Sequence, residues 1–463
     1  MKHFSKLAFL LTLGLALGSC DKFVDDLSVD PNNPSNVDAT NTLQGVIVAD
    51  ALVHEAEAAR LSGIWTAQFT GSIAQYIPLN NYNVTSGNFD DIWDTSYYGV
   101  VAQARITAAN AEAAGVFRLQ GVAQILEAHM IGTLTSLFGD IPYREAVDRA
   151  QFPQPAFDPQ PQIYDDLQKA LDVAIANLGK SGGIPAAQDI FFAGSAPKWA
   201  GVANTLKARY YLQTKNYAAA RTAAQSGISS PANSMIMPHL DASGGQNVYF
   251  QFTVNERGGY LTATNSYAAQ LLDPARAGMA NNRNTAATDE SARFDYYFTA
   301  APTGTTNYGL QEGEGFSAPD ASFPLVTYVE NQLIIAEASA ILNSSGDNAT
   351  ALTALNNVRA ALQAQYAGST YAPYTLATLP GTGTDNAKLL REIRTERYLT
   401  FIGQIGAFND ARRTNNALGL PLKTSGAPSL PQRFLYPQSE INTNRNQVPS
   451  PLPGLFDQTP VNK

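Results

Sequence analysis

The sequence predicts a mainly α-helical fold, in which tetratricopeptide-like helical hairpins support a large loop-rich face. Three observations lead there. Alanine-rich segments carry apolar residues at the spacing of a helix with one buried stripe. Two segments pair such helices across a short polar turn. Two other stretches, 229–323 and 416–463, are too rich in Gly, Asn, Thr, Ser or Pro to continue the helices. The second holds eight prolines in 48 residues.

Taken in order, residues 1–19 read as an export signal. Lys2, His3 and Lys6 form a basic start, and Leu7–Leu17 is an apolar run too short to span a bilayer. Leu17-Gly18-Ser19-Cys20 follows. The small residues fit a peptidase cleft, and the thiol of Cys20 then accepts a lipid. Cys20 is the only cysteine, so an internal disulfide framework and a Cys-rich zinc site are both excluded. Residues 20–40 form a lipidated tether. Asp21, Asp25 and Asp26 open it, as a surface-export signal or as a solvated segment, and the Asp/Asn/Pro-rich run 27–40 continues as a linker. Residues 41–463 form one domain.

Within it, Asn41–Arg60 is a helix with Leu43, Val46, Ile47 and Ala51 on its buried side. Tyr98–Ala114, Phe117–Leu137 and Pro161–Leu178 are three more. Lys198–Ile228 is a hairpin turning at Lys215-Asn216-Tyr217. Tyr328–Gln365 is a second hairpin, with Leu333, Ala336, Ala340 and Ile341 facing the return helix. Small alanines at a crossing, with a large aromatic or leucine as knob, are the ingredients of tetratricopeptide-like packing. Asn247–Val254 reads as a short strand. The aromatics interleaved in 229–323 and 416–463 favour ordered loops packed on the scaffold.

Composition narrows function. Apolar content of 44% suits a large core and excludes disorder. A net charge of -9 argues against nucleic acid as a partner. Removing residues 1–19, which hold Lys2 and Lys6 and no acid, makes the chain two charges more negative. Only 15% of residues are charged, so the surface is polar but mostly neutral, which suits sugars or peptides.

No catalytic residue, metal-ligand set or cofactor motif is identified. His54, His129 and His239 show no metal spacing, and His-Glu-x-x-His and Gly-x-Ser-x-Gly are missing. Gly381-Thr382-Gly383 lacks the Gly-Lys-Ser/Thr end of a P-loop. Asp90/Asp91, Asp165/Asp166 and Glu312/Glu314 are carboxylate pairs, but a glycosidase needs two that face each other across a cleft.

Aromatic clusters in loops carry the binding expectation. One is Tyr76, Tyr82, Phe89, Trp93, Tyr97 and Tyr98, interleaved with Asn80, Asn81, Asn83 and Asn88. Another is Phe294, Tyr296, Tyr297, Phe298 and Tyr308, with Arg293 and Asn307. Rings stack on the C–H face of a sugar while amides and guanidinium groups bond its hydroxyls. The expected ligand residues are Tyr76, Asn81, Tyr82, Asn83, Arg293, Tyr296, Tyr297 and Tyr308. Trp93 is expected in the core.

Several further blocks stand beside the Leu17–Cys20 lipobox: Val29-Asp30-Pro31-Asn32-Asn33-Pro34 and Leu137-Phe138-Gly139-Asp140-Ile141-Pro142-Tyr143. Two more are Glu396-Arg397 through Phe408-Asn409-Asp410-Ala411-Arg412-Arg413-Thr414, and Arg433-Phe434-Leu435-Tyr436-Pro437-Gln438-Ser439-Glu440-Ile441-Asn442. Together these blocks resemble those of the SusD/RagB-like outer-membrane lipoproteins. The resemblance implies a lipid-tethered, surface-exposed outer-membrane protein. Such a protein caps a SusC-like TonB-dependent transporter and hands it oligosaccharides, or peptides in the RagB branch. The motif residues are read as structural: Glu396, Arg397, Asp410, Arg412 and Arg413 as an ion-pair set, Gly139 and Pro142 as a turn. Many relatives carry Glu-Gly where this chain has Gln404-Ile405-Gly406, which removes one ion pair.

The leading expectation is thus a non-catalytic oligosaccharide-binding lipoprotein. Peptide binding, a lipid-anchored glycoside hydrolase and a pure protein scaffold are the alternatives. Replacing Cys20 by Ala should abolish membrane association of the full chain; retention of Cys20→Ala in washed membranes would count against the anchor.

Overall fold

The computed structural model describes residues 39–463. The signal, Cys20 and nearly all of the tether lie outside the described residues. Within them, eleven helices have eight or more residues. They are α1 (Ala39–Glu55), α2 (Glu57–Trp65), α3 (Ala102–Ala113), α4 (Phe117–Phe138), α5 (Gln160–Leu178) and α6 (Ala196–Gln213). The rest are α7 (Tyr217–Gln225), α8 (Tyr328–Leu342), α9 (Asp347–Gln365), α10 (Asp385–Thr400) and α11 (Gly406–Arg413). No helix among the described residues is long and apolar enough to cross a membrane.

Helices α3 to α9 pack in sequence, each on the next, as the apolar spacing predicts. Helix α4 is at the centre: nearly every residue from Leu119 to Phe138 is buried, the mark of a helix covered on all sides. Two glycines bring its neighbours close. A Cβ at Gly121 would lie 2.8 Å from the Ala174 carbonyl oxygen of α5, and one at Gly132 would lie 2.2 Å from the Tyr210 ring of α6. Tyr210 fills that notch and its hydroxyl donates to the Ala128 carbonyl at 2.7 Å. This is the small-residue crossing with an aromatic knob expected of the hairpins, with Gly in the place of Ala.

The turns are chemically specified. Between α6 and α7, Lys215 adopts φ +60° and the Asn216 side chain caps α7. Between α8 and α9, Asn343 is left-handed and Asp347 accepts from the Ser344 amide at 2.8 Å. The α4 helix stops at Gly139, whose φ of +90° suits glycine.

The long insertion separates α7 from α8 in sequence but not in space. Asn331 of α8 donates to the carbonyls of Ala224 and Ile228 at 2.9 and 3.3 Å, and Arg221 pairs with Asp347. Met235–Met237 and Phe323–Val326 pair antiparallel where the insertion leaves and returns. Inside it, β2 (Leu261–Thr264), β3 (Phe298–Thr299) and β4 (Asn307–Leu310) join β1 (Thr70–Gly71) in an antiparallel sheet of order β1-β2-β4-β3. The main apolar core draws residues from Ala39 to Leu455 and includes rings from both loop-rich stretches, and a smaller cluster lies between α6, α7 and α8.

Three local expectations need correction. The helix expected over Asn41–Arg60 breaks at Ala56 (φ -85°, ψ -132°), and α2 runs on to Trp65. The helix expected from Tyr98 opens as a π-helical turn, Thr95–Val101. Asn247–Val254 is not a strand but a helical turn, Val248–Phe250, continuing as a π-helical turn, Gln251–Glu256. The Asn247 side chain accepts from the Tyr249 and Phe250 amides, and Tyr249 and Phe252, three apart, turn to the core.

Filling the α4 notch should be costly. Gly132→Ala should lower stability by about 1–3 kcal/mol in urea denaturation, whereas Gly45→Ala, where nothing lies within 4 Å of the new Cβ, should not.

Candidate ligand-binding cleft

The structure buries most of the expected ligand residues. The Tyr76 hydroxyl donates to Glu57 at 2.5 Å and accepts from Arg60 Nε at 2.9 Å. Tyr82 is buried in a left-handed conformation, and its hydroxyl accepts from the Lys423 amide at 2.9 Å. The Tyr308 hydroxyl donates to Asp273 at 2.8 Å, and Tyr297 is buried against Tyr296 and Phe316. Arg293 is only 1% exposed and holds Glu396 at 2.8 Å. Exposure, expected of Tyr76, Tyr82, Tyr296, Tyr297 and Tyr308, fails for four of these rings: each is buried, and the hydroxyls of Tyr76, Tyr82 and Tyr308 meet partners 16 or more residues away. Asn81 and Asn83 are exposed, and Tyr296 is half-buried against Tyr366. Trp93 is buried as expected, while Tyr98 of the same cluster is 57% exposed.

A cleft of about 330 Å³ lies elsewhere, where three distant segments meet. The insertion supplies Tyr267, Asn281, Asn282 and Thr285; the 374–382 loop supplies Tyr374 and Thr382; α10 supplies Arg391, Glu392 and Thr395. Its volume falls in the usual range for small-ligand sites, roughly 300–1,000 Å³. Asparagines build the insertion wall. Asn282 donates to the carbonyls of Gln270 and Asp273, both at 2.9 Å, and Asn284 donates to Leu272 at 2.8 Å. Those bonds leave Asn281 at the rim with φ +66°, where it accepts from Arg391 Nη2 at 2.7 Å. Opposite, Tyr374 is fixed by a reciprocal pair of bonds with Asn356, and the Arg359 guanidinium stacks 3.8 Å from its ring centre. Gly381, with φ +96°, turns the chain at the lip.

Beneath lies a buried ionic layer. Arg283 reaches Glu290 at 2.9 Å, Glu392 at 3.0 Å and Glu396 at 2.7 Å. Burial pushes Glu396 up, but Arg293 and Arg283 outweigh it and hold the carboxyl below its usual range. Across α10, a second cluster joins Glu337 of α8 to Arg394, Arg397 and Arg413, with Asp410 bonded to Arg397 and Arg413 at 2.8 and 2.9 Å. The expected ion-pair set is therefore two sets, with Glu396 in one and Arg397, Asp410 and Arg413 in the other. Arg412 belongs to neither: it bonds carbonyl oxygens and lies 4.1 Å over the Phe408 ring. With no carboxylate beside it, burial lowers it to about 9.

The carboxylate pairs noted in the sequence do not face each other across this cleft. Asp90 accepts from the Ser439 amide, Asp166 pairs with Arg144 at 2.6 Å, and Glu314 accepts from Gln311. The histidines do meet, against expectation. His54 and His129 stack 4.1 Å apart with planes 2° from parallel, beside buried Asp50. In-plane lone pairs of parallel rings do not converge on one ion, so this trio is not a formed metal centre. His54 instead contacts the Asp50 carbonyl and the Thr133 hydroxyl, and His129 Nδ1 bonds Asp50 at 2.9 Å.

Packed helical hairpins carrying a loop-built cleft place the chain among helical-hairpin folds. The chain belongs to the SusD-like family: the family profile, described as starch-binding and associating with the outer membrane, matches residues 31–437. Among solved structures, a SusD/RagB family protein from Bacteroides thetaiotaomicron is 20% identical, with a TM-score of 0.65, covering 89% of this chain and 95% of that one. A SusD homologue from Bacteroides fragilis is 17% identical with a TM-score of 0.70, covering 92% and 100%. A chitin-binding SusD homologue from Flavobacterium johnsoniae is 16% identical with a TM-score of 0.64, covering 92% and 97%. No protein of curated function matches.

None of the eight expected ligand residues lines this cleft. The signal for it was present in Asn281-Asn282-Arg283-Asn284, an amide run like Asn80-Asn81 and Asn83, with Tyr267 nearby in sequence.

The histidine pair sets a pH dependence. Burial lowers His54 to about 3, with His129 adding to it, and burial with Arg209 drives His129 well below its usual value. Burial raises Asp50 to about 6, against His54 and Arg209. Below pH 6.5 the unfolded chain binds two protons that the folded chain refuses, so stability is lost. Asp50 works the other way between pH 6 and 3.8, where the folded form takes up one proton first. Within this trio the two losses outweigh the one gain, so in urea denaturation His129→Gln should lose less stability between pH 7 and pH 4.5 than the native protein.

Proposed function

We propose that the protein is a non-catalytic, lipid-anchored outer-membrane protein that binds oligosaccharides in this cleft and passes them to a SusC-like TonB-dependent transporter. The observation carrying the reading is the lining: Tyr267 and Tyr374 rings set among Asn281, Asn282, Thr285, Thr382 and Thr395. Rings with neutral polar neighbours suit the apolar faces and hydroxyls of a sugar chain. Family membership supports an outer-membrane nutrient-binding role, and a related structure described as chitin-binding supports a glycan ligand. The lipobox and the acidic, proline-containing tether support anchoring through Cys20. Carboxylates engaged in ion pairs, in place of two free ones opposed, support binding without hydrolysis.

Calorimetric titration of the detergent-solubilised full chain against chitohexaose, maltohexaose and cellohexaose tests this. Tyr267→Ala should weaken binding of the preferred oligosaccharide about tenfold, or ~1.4 kcal/mol, and leave the melting temperature within a few degrees. Unchanged affinity would remove the cleft from the reading. Binding of a peptide library in place of all three sugars would turn it toward peptide uptake.

A further inference from the structure

Glu392 is the one carboxylate of the buried ionic layer that accepts no directed hydrogen bond among the described residues. Glu396 engages Arg283 Nη2 at 2.7 Å through one oxygen and Arg293 Nη1 at 2.8 Å through the other. Glu290 accepts from Arg283 Nε at 2.9 Å and from the Tyr371 hydroxyl at 2.6 Å. Glu392 has an ion-pair contact, Oε1 to Arg283 Nη1 at 3.0 Å, but that oxygen receives no directed hydrogen bond. A carboxylate offers about four lone-pair sites. The third guanidinium of the layer, Arg359, does not fill them: it donates to the carbonyls of Ala372 and Ala287 and to the Thr288 hydroxyl.

Position makes this useful. Glu392 is only 6% exposed, yet it lines the cleft between Arg391 and Thr395 on the same face of α10. Arg391, the nearest exposed cation, is tied to Asn281 across the rim. A ligand descending between Tyr267 and Tyr374 therefore approaches a buried carboxylate whose one partner is the ion pair with Arg283. Hydroxyl groups supply donors, and O–H donors to a carboxylate form short, strong bonds. A carboxylate or sulfate at that depth is instead repelled by Glu392, while Arg283 is already engaged by three carboxylates and Arg391 stays at the rim.

We propose that Glu392 is a specificity-determining acceptor that takes hydrogen bonds from sugar hydroxyls and selects neutral saccharides over acidic ones. This rests on the cleft being the glycan site. Titration of the detergent-solubilised full chain with chitohexaose, maltohexaose, cellohexaose and hexagalacturonate tests it, with the native protein, Glu392→Gln and Tyr267→Ala. The native protein should bind at least one neutral hexamer ten or more times tighter than hexagalacturonate. Glu392→Gln should weaken that neutral hexamer at least tenfold and narrow the ratio to hexagalacturonate. If Tyr267→Ala weakens binding but Glu392→Gln does not, the acceptor role falls and the cleft stands. If neither variant changes affinity, or no hexamer binds, both fall. The native selectivity needs no variant: tighter binding of hexagalacturonate than of every neutral hexamer overturns the acceptor role even if Glu392→Gln fails to fold.

Discussion

The carbonyl end of α4 is the constraint around which the chain is organised. A helix leaves its last four carbonyls without intrahelical donors, and here that end is buried. Each carbonyl is met from elsewhere. Thr135 accepts from the Gly139 amide and from Gln160 at the start of α5. Ser136 accepts from Arg412 of α11, Leu137 from the Phe434 amide, and Phe138 from Arg433. Three sequence blocks far apart in the chain thus converge on one helix terminus. Two cations at the negative end of a helix dipole add a favourable field, which offsets the burial of Arg412 without a carboxylate partner. The turn that follows is held in the same way: Tyr436 donates to the Asp140 carbonyl, and Tyr97 to that of Pro142.

Helix α10 is the second organising element. Neighbouring residues on it serve opposite sides. Glu396 faces the insertion through Arg283 and Arg293, and Arg397 faces α8 and α11 through Glu337 and Asp410. The two ionic layers therefore couple the loop-rich face to the hairpins through a single helix. Such layers place long-range partners with geometric definition, since each guanidinium bonds in fixed directions. The cleft sits on one of them, and its floor inherits that definition.

How much of this was legible in the sequence depended on how local the cause was. Helices such as Phe117–Phe138 and Gln160–Leu178 follow from apolar spacing and turn chemistry, and their expected ends fell within one residue. The break at Ala56 and the π-helical turns answer to tertiary packing and left no local sign. The tyrosines misled because a ring in a polar loop reads the same whether it plugs the core or faces solvent. What decides is the partner for its hydroxyl, and those partners are remote: Lys423 for Tyr82, Asp273 for Tyr308. The cleft was hidden for the same reason, since positions near 267–285, 374–382 and 391–395 become neighbours only on folding.

The short pairing of Met235–Met237 with Phe323–Val326 has a broader consequence. Paired antiparallel strands hold their backbones ~5 Å apart. At that junction the insertion therefore leaves and re-enters the hairpin array at adjacent points. Its exposed loops are free to change while α7 and α8 keep their contact, provided that Arg283 and Arg293 still reach α10 and β2 still pairs with β1. The lining of the cleft can accordingly vary through those loops and the few α10 side chains beneath them, on a scaffold that stays the same.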